Sequence, residues 1–169
     1  MTTHEHDTHA RAMTQVNEPF RFLDPGSLID GELELVLVNC APANEARNRV
    51  PQYDFEMRVP GRNGSTVGGI NFRAVSTRDL ELYGGHIGYG VHASHRGHRY
   101  AARSVRLLLP LARAHGFATL WITCNPDNGP SRRTCEIAGG TLVEIVDLPS
   151  DNDMYREGER QKCRYRFDL

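Results

Sequence analysis

The sequence predicts an α/β (α+β) sandwich, in which helices cover a mixed, mostly antiparallel sheet. Three observations lead to this fold class. Apolar residues make up 39% of the 169 residues and charged residues 24%, which is ordinary for a globular protein. The first half contains short segments that alternate apolar and polar side chains, the pattern of half-buried strands. The second half alternates strand and helix patterns in the order β-α-β-α-β-β.

The chain is long enough for one domain with a substantial core. Its N-terminal stretch, MTTHEHDTHARAMTQVNE, is polar and lacks periodicity. We therefore expect a disordered tail at 1–18 and a single domain at 19–169.

Antiparallel strands are predicted in the first half. Residues 32–38 (ELELVLV) and 53–59 (YDFEMRV) alternate, and 66–75 is the hairpin partner of the second strand. The intervening PGRNG at 60–64 is a strong turn signal. Between the first two strands, 39–51 contains two prolines and predicts a loop or one short helical turn.

The second half begins with a strand at 85–92 and a helix at 97–115, which Gly116 ends. Pro110 removes one hydrogen bond of this helix at a cost of about 3 kcal/mol, so we expect a bend or an earlier end there. A buried strand follows at 118–124.

A second helix is predicted after the cap candidates Asp127 and Asn128, and it ends at 139–140. Two strands and the polar loop between them follow, at 141–148, 162–168 and 150–161.

Bulk properties exclude several classes of protein. The formal net charge is −1, so strong nucleic-acid binding is not expected, although 96–113 carries five arginines and no acid. The four cysteines form no C-x-x-C pair, and no apolar run approaches the roughly 20 residues that cross a bilayer. We expect reduced thiols in a cytoplasmic protein without a membrane partner.

The segment 85–116 carries the clearest functional signal. A strand, a loop rich in arginine and histidine, and a helix follow one another. The first backbone N–H groups of a helix are unpaired and lie at the positive end of its dipole, so this arrangement suits a phosphate. Arg96 and Arg99 add formal charge at the same place.

These residues resemble the GNAT superfamily of N-acetyltransferases. The family pattern Q/R-x-x-G-x-G/A is similar to Arg96-Gly97-His98-Arg99-Tyr100-Ala101. A second family element, N-x-x-S/A before a helix that ends in glycine, is similar to 128–139. Phrases such as I-G-Y and N-x-x-S are closest to the ribosomal-protein acetyltransferase branch. Each motif alone is weak, but both occur in the right order.

The resemblance implies a GNAT-like sheet of about seven strands, with a V-shaped splay between the strands at 85–92 and 118–124. It also implies acetyl-CoA as cosubstrate, with an amine as acceptor and no metal. The residues that it assigns to cofactor binding are Tyr89, Gly90, Val91, Arg96, Gly97, His98, Arg99, Tyr100, Ala101, Ala102, Asn128 and Ser131. For the 3′-phosphate, the candidates are Arg103 and Arg106, or Arg132 and Arg133.

The chain departs from the family pattern at two motif positions. Arg99 replaces the usual glycine, which allows close approach of backbone to phosphate. Cys135 occupies the position of a family tyrosine that protonates the leaving thiolate. A thiol with a pKa of about 8.5 is able to donate a proton, so Cys135 is either the acid or a small core residue.

The general base is open as well. Thr123 stands where some relatives have a glutamate, and it cannot act as a base. His86 is the first candidate because an imidazole pKa of about 6.5 suits proton removal near pH 7. The alternative for His86 is a hydrogen-bonded place in the sheet. Glu56 is the second candidate, and a water chain is the third.

The family usually has two helices between its first two strands, and 39–51 is too short for them. The acceptor side is therefore open, or completed by the loop at 150–161 or by another subunit of a homodimer. The leading hypothesis is direct acetyl transfer to a primary amine. The alternative is a non-catalytic domain that binds or senses acyl-CoA. A metal enzyme built on His92, His95 and His98 is disfavoured, because these residues fall on three different elements.

Overall fold

The structure is a computed structural model that describes residues 19–60 and 65–169. The predicted tail at 1–18, and most of the predicted turn at 60–64, lie outside the described residues. Strands and helices occupy most of the predicted positions, and the α/β sandwich class is confirmed.

The first sheet has five strands, which are antiparallel neighbours in chain order. They are β1 (Ile29–Asp30), β2 (Leu33–Ala41), β3 (Gln52–Arg58), β4 (Thr66–Arg73) and β5 (Ile87–Val91). In β3 the buried side chains alternate with half-buried polar ones, as the sequence pattern predicted. One face of this sheet therefore joins the core, and the other carries the polar side chains.

The second sheet has three strands in the order β6-β8-β7. They are β6 (Thr119–Cys124), β7 (Thr141–Asp147) and β8 (Gln161–Asp168). In the described part of the chain, three α-helices accompany the two sheets: α1 (Tyr100–Ala114), α2 (Gly129–Ala138) and α3 (Asp153–Arg156).

The single mixed sheet of about seven strands needs correction. The described residues form two sheets of five and three strands, and each strand pair within them is antiparallel. The sheets meet at one end, where the backbone N–H of His86 donates to the carbonyl of Trp121 at 2.7 Å. Beyond that bond β5 and β6 belong to separate ladders, so the predicted splay is present and divides the sheet.

Helix α1 packs on the core face between the two sheets. Val105, Leu108 and Ala112 are fully buried in the cluster that also holds Tyr53 and Tyr165. Burying each large apolar side chain stabilises the fold by about 1.5–3 kcal/mol. This helix is therefore fixed by its own apolar stripe.

Two details of α1 differ from the prediction. The helix begins at Tyr100 rather than at 97, because Gly97 (φ 87°) and Arg99 (φ 59°) have left-handed backbones that a helix cannot contain. It also continues through Pro110 to Ala114. Pro110 is exposed, so water is able to hydrogen-bond the carbonyl group that loses its partner.

Several short elements were not predicted. They are β1, a 3₁₀ turn at Ala93–His95, a π-helical turn at Leu80–Gly84, and α3 inside the predicted polar loop. The short helical turn allowed within 39–51 is present as a 3₁₀ turn at Glu45–Arg47. Within the described ranges, no helix combines the length and the apolar character needed to cross a bilayer.

Candidate active site

The loop before α1 presents a continuous row of unpaired backbone donors. Within the described part of the chain, the N–H groups from Gly97 to Ala102 have no hydrogen-bond acceptor, and the first paired one is that of Arg103, which donates to the carbonyl of Arg99 at 3.0 Å. The left-handed backbones of Gly97 and Arg99 turn the chain tightly ahead of the helix. Such a row at a helix start is a binding site for phosphate oxygens.

A cavity of about 580 Å³ lies beside this loop, which is the size of a small-molecule site. The end of β5 and the first turns of α1 and α2 form its walls. All twelve residues that the resemblance assigned to cofactor binding line this one cavity. Five further lining residues were not in that set: His95, Pro130, Arg133, Thr134 and Ile137. Four of the five lie on one face of α2 at helical spacing, a signal that the sequence does contain.

The edge of β5 that faces the splay also offers free backbone groups. His92 donates its N–H to Val67 in the neighbouring segment, and the carbonyl of His86 accepts from Arg73. Because strand residues alternate, the N–H groups of Ile87, Tyr89 and Val91 point away from β4 and toward the splay. An amide-bearing chain lying in the splay is able to pair with this edge as an added strand would.

Asn128 is the N-cap of α2, as predicted. Its side-chain oxygen accepts from the backbone N–H of Ser131 at 3.1 Å, and Gly139 ends the helix with a left-handed backbone. The amide NH₂ group of Asn128 is left as a donor on the cavity wall.

His86 lies where the two sheets meet. It is fully buried, its Nδ1 accepts from the backbone N–H of Trp121 at 3.0 Å, and its Nε2 is 3.0 Å from the hydroxyl of Ser76. Burial lowers the pKa of His86 to about 4, so the ring is neutral near pH 7. With both ring nitrogens engaged, this geometry favours an anchoring role over proton transfer.

Cys135 is fully buried on α2. Its Sγ lies 3.5 Å from the phenol oxygen of Tyr89, which also lies 2.9 Å from the hydroxyl oxygen of Ser131. A contact with the Cys124 thiol and burial together raise the pKa of Cys135. Tyr89 and Ser131 line the cavity and Cys135 does not, so the phenol stands between Cys135 and the ligand space.

Glu56 lies on the open, polar face of the five-stranded sheet. Its carboxylate pairs with Arg58 at 2.7 Å and accepts from the hydroxyl of Thr66 at 3.1 Å. These bonds lower the pKa of Glu56, so it is ionised at neutral pH. In the sheet register Glu56 is opposite Gly69, which is opposite Gly90 of β5.

The same open face contains a second cavity of about 570 Å³, lined largely by polar side chains of β3, β4 and the loops beside them. Asp54 accepts hydrogen bonds from Asn39 at 2.9 Å and from Gln52 at 2.6 Å. No α-helix from 39–51 covers this face, since that stretch contains the end of β2 and the short 3₁₀ turn.

The arginines suggested for a 3′-phosphate differ in their surroundings. Arg103 is held by Asp30 at 2.8 Å and by Glu32 at 2.7 Å, and this contact lowers the pKa of Glu32 to about 2. Arg106 donates to the carbonyl of Ile137, and Arg132 donates to the carbonyl of Pro126 and to Tyr165. Of the four arginines, Arg133 is the one on the cavity wall.

No group of three or more metal-ligating side chains is found among the described residues. The placement of His92, His95 and His98 on three different elements was wrong, since all three lie between the end of β5 and the start of α1. His98 stacks on the ring of Tyr100.

Comparison with known proteins agrees with the fold. A family model described as an acetyltransferase (GNAT) domain matches residues 3–141. No curated protein matches the sequence. Many solved structures are similar in fold.

Three of these structures illustrate the likeness. A putative ribosomal-protein-serine acetyltransferase from Vibrio cholerae is 12% identical, with 87% of this chain and 100% of that chain covered and a TM-score of 0.61. The microcin C7 self-immunity acetyltransferase MccE, solved with acetyl-CoA and AMP, is 16% identical, with 70% of this chain and 61% of that chain covered and a TM-score of 0.54. The ribosomal-protein-S5-alanine acetyltransferase from Vibrio fischeri is 13% identical, with 69% of this chain and 61% of that chain covered and a TM-score of 0.55. The chain thus spans about 61% of the length of the last two proteins, and at these identities the likeness establishes the fold alone.

Proposed function

The chain belongs to the GNAT acetyltransferase family, and on that premise we propose that it transfers an acetyl group from acetyl-CoA to a primary amine. The observation that carries the proposal is the cavity beside α1. Its wall combines the unpaired N–H groups of 97–102 with the free edge of β5. A pyrophosphate followed by an amide-bearing arm matches these two sets of donors, so acetyl-CoA fits the residues present. Acetyl-CoA supplies an activated acetyl group as a thioester.

The binding residues have distinct tasks in this proposal. The loop amides and the Arg96 and Arg99 side chains hold phosphate oxygens. Asn128 donates its side-chain NH₂ to the pantetheine arm. The backbone N–H of Val91, on the free edge, stabilises the oxyanion that develops during transfer. Holding both reactants in the splay supplies much of the acceleration.

Glu56 is the general base in this proposal. Glu56 on β3 and Gly90 on β5 lie in register on either side of β4, so two strand spacings of about 4.8 Å separate them. A bridging water therefore carries the proton from the amine to Glu56. Glycine at positions 69 and 90 leaves the face bare between them, and an amine is able to approach there. His86 is assigned to anchoring, and a water chain without Glu56 stays the alternative.

The first experiment measures binding and turnover together. Calorimetry with acetyl-CoA, followed by CoA release with a panel of amines, peptides and amino sugars, should give binding and turnover on at least one acceptor. The absence of both would overturn the proposal.

The role of Glu56 is tested by Glu56→Gln, with Glu34→Gln as a control on the same face of the sheet. We expect kcat/KM to fall about 100-fold in the first variant, because a general base contributes roughly that much. The control should change little. Equal effects in both variants would assign the loss to surface charge instead.

A second candidate function is a non-catalytic acyl-CoA-binding or sensing domain. The burial of both His86 and Cys135 favours it, because neither side chain reaches the cavity. Binding of acetyl-CoA without turnover on any acceptor would support this function. That a second subunit completes the acceptor side stays a prediction. Measuring the mass of the protein in solution would test it.

A further inference from the structure

The hydroxyl of Tyr89 makes contacts that no motif predicts. It lies on β5 and its ring crosses the splay toward α2, where the phenol oxygen is 2.9 Å from the hydroxyl oxygen of Ser131 and 3.5 Å from Sγ of Cys135. The same hydroxyl donates to the Ser131 carbonyl at 3.3 Å. These partners are 42 and 46 residues away in the chain, so the cluster is created by the fold.

The position of this hydroxyl is informative because α2 lacks a hydroxyl-bearing aromatic side chain at 135. The Cys135 thiol lies behind the phenol and outside the cavity wall, whereas Tyr89 and Ser131 are part of that wall. The phenol hydroxyl therefore reaches from β5 to the α2 side of the cavity wall, where it donates to the Ser131 carbonyl and contacts the Ser131 hydroxyl.

We propose that the Tyr89 hydroxyl is the hydrogen-bond donor that stabilises the thiolate leaving group of acetyl transfer. This inference rests on the proposed function. The C–N bond to the acceptor forms and the C–S bond breaks, with the electron pair of the C–S bond passing to sulfur. The acceptor nitrogen loses its proton to water or to Glu56, and the sulfur takes a proton from solvent after release.

The phenol keeps its own proton throughout. Burial raises the pKa of Tyr89 well above its ordinary value, so it donates a hydrogen bond to a thiolate rather than transferring the proton. Hydrogen bonds to charged groups are stronger than neutral ones, at about 1.5–3 kcal/mol. The donor therefore acts more strongly on the thiolate than on the uncharged thioester, which is the requirement for catalysis.

The test uses the ionisation of CoA itself and does not need an acceptor. A thiolate absorbs in the ultraviolet, so the thiol of bound CoA can be titrated on the whole protein. Subtracting the titration of the complex with desulfo-CoA removes the signal of the four cysteines and six tyrosines of the chain. In the wild-type protein we expect the pKa of bound CoA to lie below that of free CoA by about one unit.

Variants then assign the effect to one hydroxyl. Tyr89→Phe should abolish the shift, and Tyr155→Phe, which alters a tyrosine on α3, should leave it unchanged. Ser131→Ala removes the other hydroxyl of the cluster and a hydrogen bond that positions the phenol, so it should reduce the shift less than Tyr89→Phe does. A loss of the shift in Ser131→Ala but not in Tyr89→Phe would assign the donor to Ser131 and overturn the proposal.

The wild-type measurement stands even if Tyr89→Phe does not fold. CoA that binds without any lowering of its thiol pKa contradicts the role of Tyr89 and leaves the proposed function intact. Failure to bind CoA or acetyl-CoA contradicts both.

Discussion

The two faces of the five-stranded sheet are built in different ways. On the helical face, the cavity offers backbone N–H groups that have no partner in the described structure, and their directions are fixed by the loop and by β5. On the open face, side chains such as Asp54 and Glu56 are already paired with their neighbours. A backbone donor row binds any ligand with the right phosphate spacing, whereas paired side chains must exchange partners to bind. If the chain acts as proposed, this difference means that the side that binds acetyl-CoA is preorganised, and we infer that the choice of acceptor depends on side chains that rearrange.

The largest expected effect is a loss of folding stability when a side chain is added at Gly68, where the strands pack tightly on the helical face. A Cβ atom at Gly68 would lie 2.3 Å from the carbonyl oxygen of Gly90 and 3.0 Å from Cα of Val91, and backbone atoms cannot swing aside. We expect Gly68→Ala to lower the free energy of unfolding by about 3 kcal/mol or more. Urea unfolding measures this change.

The neighbouring glycine is the matched control. A Cβ at Gly69 would have the Phe55 carbonyl oxygen at 3.5 Å as its nearest atom, an ordinary contact on the open face. Gly69→Ala should therefore cost less than about 1 kcal/mol. Equal losses in the two variants would contradict the difference in packing between the faces.

The second prediction concerns the joint between the two sheets. His86 is neutral in the folded protein because burial lowers its pKa to about 4, while an unfolded histidine has a pKa near 6.5. Between these values the unfolded chain binds more protons, so the free energy of unfolding should fall as the pH is lowered from 6.5 to 4. The loss should be about 3 kcal/mol and should level off below pH 4. Glu81 favours the protonated ring and Arg73 opposes it, so their charges modify the size of the loss.

Urea unfolding at several pH values measures this slope. His86→Gln should flatten it, and the exposed His92 provides the control variant His92→Gln, which should retain it. An unchanged slope in His86→Gln would show that other groups cause the pH dependence.

The third prediction separates backbone from charge at Arg99. Arg99 has a left-handed backbone, which costs a non-glycine residue about 1–2 kcal/mol of folding stability. A glycine avoids that strain, but its more flexible unfolded chain lowers the free energy of unfolding by about 0.5–1 kcal/mol. Arg99→Gly should therefore stabilise the protein by about 0.5–1 kcal/mol, while Arg99→Gln should not. Both variants should weaken CoA binding up to about fivefold, because both lose the same exposed charge. Thermal unfolding and calorimetry measure the two effects, and weaker binding in Arg99→Gln alone would mean that backbone strain, not charge, governs the loop.

The same division explains what the sequence can predict. The loop, the Asn128 cap and the Gly139 end are local, because each depends on residues within a few positions of one another. The twelve residues expected to bind the cofactor therefore lie in or beside the short segments 89–102 and 128–131, and all of them line one cavity. The start of α1 at Tyr100 was missed because an arginine in a left-handed conformation leaves no signal in the sequence.

Long-range features were harder to predict. Whether β5 and β6 pair or diverge depends on contacts between segments about 35 residues apart, such as that of His86 with Trp121. The burial of His86 and the cluster of Tyr89 with Cys135 have the same origin. Periodicity describes which face of a strand is apolar, but it does not say which distant helix covers that face.

The smallest expected effect lies at the rim of the cavity. Arg133 is 69% exposed in its side chain and pairs with Glu136 at 3.4 Å, so its contribution to binding a 3′-phosphate should be about 0.5 kcal/mol, or about twofold in Kd. Calorimetry should detect this loss for Arg133→Gln with CoA but not with 3′-dephospho-CoA, and added salt should remove it. Glu136→Gln releases the same guanidinium from its partner and should tighten CoA binding slightly. If Arg133→Gln weakens the binding of CoA and of 3′-dephospho-CoA equally, Arg133 supports the cavity wall and does not contact the 3′-phosphate. The preorganised region is then limited to the loop and β5.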